Sequence, residues 1–155
     1  MPILLLAFLI GVVAGLRSMT APAVVSWAAR TGILPLGGSW LAFLGYAWTP
    51  WIFTLAAVGE IINDKLPKTP SRTVPPQFIT RVVVGAMCGA AFGIPVGAVV
   101  GGLIAGALGA VGGTLGGAWL RGTLVRAIGG KDLPIALLED AVAVVSGILI
   151  VKQLG

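Results

Sequence analysis

From Pro2 to Ala29 the chain reads "PILLLAFLIGVVAGLRSMTAPAVVSWAA", a run whose single charge is Arg17, near its middle. A helix that crosses a bilayer needs about 20 consecutive apolar residues, so this stretch alone directs the chain into a membrane. The rest of the sequence agrees. Of 155 residues 57% are hydrophobic and only 10% charged, and mean hydropathy is +1.05, whereas a soluble domain carries about 25% charged residues. Such a chain cannot cover a surface that faces water.

The net charge of +5 comes from ten basic residues scattered along the sequence. They are too few and too dispersed for a nucleic-acid partner, and instead mark the cytoplasmic side of a membrane protein. The lone Cys88 rules out an intramolecular disulfide and reads as a small core residue. Histidine is absent, which removes the commonest general base and metal ligand and the Ser-His and Cys-His nucleophile pairs. No catalytic residue, metal or cofactor is expected. The N-terminal run resembles a signal peptide only in its apolar core. No Lys or Arg precedes it, so it is expected to be a retained membrane segment.

Apolar stretches mark five expected spans: 3–29, interrupted at 15–22; 39–63, interrupted at Thr49-Pro50; 78–94; about 96–120; and 133–151. The expected fold is an all-α polytopic transmembrane bundle forming a single domain over 1–155. Lys65, Lys68, Arg72 and Arg81 cluster around one loop, and Arg121, Arg126 and Lys131 around another. Five spans put both clusters on one side, the cytoplasm, with the N-terminus inside and the C-terminus outside. A rival arrangement makes 3–15 and 21–30 a hairpin and moves Met1 outside. Both segments fall short of the ~30 Å hydrocarbon core, which favours one broken span. The Pro-rich "KLPKTPSRTVPPQ" (65–77) reads as a stiff cytoplasmic connector.

From Gly85 a small residue recurs at every fourth position: Gly85, Gly89, Gly93, Gly97, Gly101, Ala105, Gly109, Gly113 and Gly117, with Gly102, Gly106, Ala110 and Thr114 in a second row. In lipid such rows let helix backbones approach closely. Four residues advance about 400°, so the ladder drifts around a straight helix and cannot serve one neighbour throughout. Gly93-Ile94-Pro95 is therefore expected to divide two spans. Gly97, Gly101, Gly109, Gly113 and Gly117 are the expected packing positions, holding helices statically, in a dimer, or as sliding surfaces.

Intramembrane charges are functional candidates. Around Arg17, "GLRSMTAP" reads as an unwound break in which Thr20 caps a new helix and Pro22 sits in its first turn. Arg17, Ser18 and Thr20 then form an anion or carboxylate receptor near mid-bilayer, of the kind built from broken helices in transporters. Glu60 and Asp64, four residues apart on one face, and the adjacent Glu139 and Asp140 are the proton- or cation-coupling candidates. The competing possibility is a permanent structural ion pair between Arg17 and Glu60, Glu139 or Asp140. Arg121, beside Trp119, reads as an interfacial anchor. Gly15…Thr20…Arg30 before Glu60/Asp64 loosely echoes Gly109…Thr114…Arg121 before Glu139/Asp140, a hint of an inverted repeat.

The segments "GLRSMTAPAVVSWAAR", "GEIINDKLPKTPSRT" and "RVVVGAMCGAAFG" resemble a family of small bacterial membrane proteins classed as a domain of unknown function. The resemblance implies a bacterial inner membrane and supplies neither activity nor site residues. The leading expectation is a transporter or channel for a small solute or ion. The alternative is a non-catalytic scaffold or accessory subunit, and a membrane enzyme comes third. Expected partners are the lipid bilayer, a second copy in a homodimer, and other membrane subunits if the protein is an accessory.

Overall fold

The computed structural model describes residues 2–64, 75–130 and 132–154, apart from the side chains of Asn63, Asp64, Pro75 and Asp132. Among these residues there are six α-helices and no strand: α1 (Ile3–Leu16), α2 (Thr20–Arg30), α3 (Thr49–Asp64), α4 (Pro75–Gly93), α5 (Val99–Ala127) and α6 (Asp132–Lys152). Three helices, in α4, α5 and α6, are long and apolar enough to cross a membrane, while α1 and α3 are apolar but shorter. Most of the expected connector, with Lys65, Lys68 and Arg72, and also Lys131 and the Asp64 side chain, lies outside the described residues.

The contacts fix the direction of each helix. Along α5, Gly101 faces Leu4, Gly109 faces Phe8 and Gly113 faces Val12, so α1 and α5 run parallel. Gly93 faces Ala98, Gly89 faces Gly102 and Gly85 faces Gly106, which makes α4 and α5 an antiparallel hairpin. Its turn is a 3-10 segment, Ile94–Val96. Arg121 and Glu139 meet across the connection from α5 to α6. Trp27 hydrogen-bonds Thr54, and Ser18 hydrogen-bonds Glu60, so α2 and α3 are antiparallel.

The first two helices correct an expectation. Gly147 of α6 lies against both Val13 of α1 and Val24 of α2, while Arg17, between them in sequence, lies beside Asp140. The chain therefore reverses at Arg17-Ser18-Met19 and does not continue as one interrupted span. The local cause is that Arg17 is extended (φ −143, ψ 108), which ends α1 and swings the chain aside. With 14 and 11 residues, α1 and α2 are about 21 and 16 Å long, each shorter than the ~30 Å hydrocarbon core. Helix direction alternates from α1 to α6, so Ile3 and Lys152 share one end of the bundle. The reversal lies nearer the other end, on which Glu60, Glu139 and Asp140 also stand.

The second expected span also begins later. Residues 39–48 are not α-helical. They carry a 3-10 turn, Ala42–Gly45, and bury Leu41 and Leu44. Thr49-Pro50, expected as an interruption, is where α3 starts, because proline suits a first helical turn and its missing N–H leaves nothing unsatisfied there. Thr49 Oγ1 donates to the Phe43 carbonyl at 2.6 Å. Trp40, Tyr46, Trp48 and Trp51 stand exposed in this region.

The core is glycine-built. A Cβ at Gly102 or Gly106 would collide with the α4 backbone at Gly89 or Gly85, and one at Gly109 or Gly113 with the α1 backbone at Phe8 or Val12. At Gly11 it would collide with Gly106. The ladder thus spirals from α4 onto α1, as the 400° advance requires. Gly101 meets only the Leu4 side chain, and Gly117 is half-buried. Gly97 departs from its expected packing role. It adopts φ +72 after the 3-10 turn with open space around it, a conformation that glycine reaches without strain.

Candidate functional site

A helix that ends inside a bundle leaves its last carbonyls without intrahelical partners, and one that begins there leaves its first N–H groups. At the α1–α2 reversal both problems fall together. Arg81 of α4 donates from Nη1 to the Gly15 carbonyl at 2.9 Å, and Arg17 donates from Nη1 to the Leu16 carbonyl at 3.1 Å. Cations thus meet the negative end of α1. At the start of α2 the Met19 N–H points to Glu60 Oε1 at 3.4 Å, while Ser18 Oγ donates to Glu60 Oε2. A carboxylate thus meets the positive end of α2.

Arg17 is completely buried. Its Nε lies 2.6 Å from Asp140 Oδ1 and its Nη2 2.5 Å from the same oxygen. Its Nη1 lies 3.2 Å from Glu139 Oε1. Glu139 is shared, because its other oxygen stands 3.9 Å from Arg121 Nη1. Three arginines (Arg17, Arg81, Arg121) and three carboxylates (Glu60, Glu139, Asp140) therefore surround the reversal, drawn from the hairpin tip and from α3, α4, α5 and α6. Charges buried to this degree persist only when paired and hydrogen-bonded.

Most of the sequence-selected residues converge, with their assignments changed. Arg17 is held by Glu139 and Asp140, and Ser18 by Glu60. Thr20 does not cap α2, since that helix begins at Thr20 itself with Met19 before it and no side-chain cap. Its buried Oγ1 has no hydrogen-bond partner. Along α6 the cluster lies close to the middle of the helix. Asp140 comes eight residues after Asp132, the first residue of α6, or about 12 Å from that helix end. Arg121 is a member of the cluster rather than an interfacial anchor. Among the described residues no group of three His, Cys, Asp or Glu side chains is placed to hold a metal ion.

Arg81 is the residue that sequence reasoning missed. In sequence it groups with the loop cations, yet it is 6% exposed and reaches into the reversal. The ladder contains the signal. Arg81 precedes Gly85 by four residues, so it continues the row Gly85-Gly89-Gly93 toward the hairpin tip.

Comparisons with protein-family models, with curated proteins and with solved structures found no match to this chain.

Proposed function

We propose that the chain is a multi-pass protein of a bacterial inner membrane that moves a small anionic solute coupled to protons, with the Arg17 cluster as its gated site. The short α1–α2 hairpin is then re-entrant, since helices of 10–14 apolar residues suit such segments and non-helical backbone at membrane depth is tolerated where protein surrounds it. The observation that carries the reading is the fully buried Arg17 guanidinium at the hairpin tip, held by Asp140 and Glu139. An incoming anion and these carboxylates compete for one planar fork. Protonating Asp140 weakens its hold on Arg17 and favours the anion, which couples the two movements. The basic connections set the cluster end toward the cytoplasm and both chain ends outside. The resemblance to a family of small bacterial membrane proteins belongs to this same proposal.

The test uses purified protein in vesicles on a solid-supported membrane, stepped from gluconate to chloride, phosphate or a dicarboxylate. A current that wild type carries and Arg17→Lys loses supports the reading, because lysine keeps the charge and lacks the fork. A second reading, a static scaffold, draws on the internal partners of the Arg17 donors. An Arg17→Ala/Asp140→Asn double variant that folds and keeps the wild-type current removes Arg17 from transport, and a folded wild type silent to every anion leaves the scaffold. The expected homodimer remains a proposal, with its surface away from Gly102, Gly106, Gly109 and Gly113, which face the chain's own helices.

A further inference from the structure

Between α2, α3 and α6 runs a groove of about 550 Å³, open along one side. Its walls include Ala23 and Trp27 from α2, Ala57 and Val58 from α3, and Val144 and Ile148 from α6. It extends from Thr20, beside the hairpin tip, to Thr31 and Lys152 at the opposite end, a length of about 16 Å along α2. The polar groups along it are mostly engaged elsewhere. Trp27 Nε1 donates to Thr54 Oγ1, Thr54 Oγ1 to the Pro50 carbonyl, and Thr31 Oγ1 to the Trp27 carbonyl. The interior therefore offers an occupant apolar contact.

The flanks show what phase the groove opens into. Ile52, Leu55 and Ile62 of α3 and Val145 and Leu149 of α6 are exposed, and in a bilayer such faces meet acyl chains. The charge at the mouth is equally one-sided. All five acidic residues of the sequence, Glu60, Asp64, Asp132, Glu139 and Asp140, fall at positions toward the cluster end of their helices, while Arg30 and Lys152 close α2 and α6 at the other. Exposed Trp40 and Trp48 lie in the segment joining α2 to α3 at that same end, as aromatics do at a membrane–water interface.

We propose that this groove is a binding site for one acyl chain of an anionic phospholipid whose headgroup is held by Lys152, with Arg30 adding to the field. The fit is between an apolar slot, a cation at its mouth and a lipid-facing flank. The inference needs the membrane placement but not transport. A protein that passes no anion current and still retains labelled lipid would sink the transport reading and leave the groove standing.

The experiment compares spin-labelled phosphatidylglycerol and phosphatidylcholine in vesicles holding the full chain, reading the motionally restricted component by electron paramagnetic resonance. Wild type should restrict phosphatidylglycerol about fivefold more strongly, the effect of one cation near an anionic headgroup. Lys152→Gln should bring the two lipids level, and Ala57→Trp, which fills the slot, should remove the excess restriction of phosphatidylglycerol over phosphatidylcholine while lipid around the outer faces stays restricted. Ala57→Leu serves where the tryptophan variant fails to fold, and should reduce that excess. Equal restriction of both lipids by wild type would overturn the proposal, as would an undiminished phosphatidylglycerol excess in both Ala57 variants. So would efficient Val58→Cys cross-linking between copies in dilute vesicles, which would place a second chain in the groove.

Discussion

Between α1, α4 and α5 the contacts are backbone on backbone, at Gly11, Gly85, Gly89, Gly102, Gly106, Gly109 and Gly113. Between α2, α3 and α6 they are side chain on side chain, around a groove of about 550 Å³. At those glycines no rotamer can adjust, because there is no side chain to move. In the second, Trp27 makes an edge-on contact with Trp51 at a centroid distance of 5.1 Å, and space remains beside it. The difference separates a rigid frame from an adaptable face, and the Arg17 cluster joins the two. Arg81 and Arg121 come from the frame, Glu60, Glu139 and Asp140 from the adaptable face, and Arg17 from the turn between α1 and α2.

The harshest way to break this contrast is Gly106→Leu. Gly106 meets Gly85 and Gly89 of α4, and its carbonyl meets Gly11 of α1, so the loss should exceed about 5 kcal/mol. Cys88, fully buried on α4, reports it, and should react with maleimide in the variant and resist in wild type. If Cys88 stays protected and the variant unfolds at the wild-type temperature, the frame is not rigid.

Arg17→Ala comes next, taking away the guanidinium that Asp140 and Glu139 share, at a cost of about 3–5 kcal/mol. Adding Asp140→Asn should recover much of it in thermal unfolding, and no recovery would mean that Arg17 matters through its shape alone. Glu60→Gln keeps acceptors for Ser18 and the Met19 N–H and loses the charge at the start of α2. Its expected cost is about 1 kcal/mol, and a larger loss would show that the hairpin tip depends on Glu60 for more than helix termination. Gly112→Ala is the smallest effect, since nothing lies within 4 Å of a Cβ there. A stabilising shift below about 1 kcal/mol is expected from helix propensity, and a destabilisation resembling that at Gly106 would erase the distinction between inward and outward glycines.

The frame was the more legible part in sequence, because a ladder of small residues in lipid has one evident physical use and its drift predicts a change of partner. The Gly93-Ile94-Pro95 division followed from the same drift. The reversal at Arg17-Ser18-Met19 was open between two geometries, since a helix start signal at Thr20-Pro22 is identical whether the new helix continues or turns back. What decides it is packing against Gly147, more than a hundred residues away. Arg17, Ser18, Glu60, Glu139 and Asp140 were recognisable as charges and hydroxyls stranded in apolar sequence. Arg81 was not, because its proximity to a basic loop gave it an ordinary explanation. The Thr49-Pro50 start of α3 was obscured by the apolar residues ahead of it, which are buried in an irregular cap and not in a helix.

The pairing of Arg17 with Asp140 spans 123 positions. At a synthesis rate of about 5–20 residues per second, the arginine emerges roughly 6–25 s before its carboxylate. During that interval α1 lacks α5 as well as the charge that neutralises its tip. If the hairpin enters the bilayer as proposed, it can settle to its final depth only after the last helix is made. An N-terminal segment of this kind is a late guest in its own fold, and a chain halted before residue 140 would display the arginine to whatever membrane chaperone can receive it.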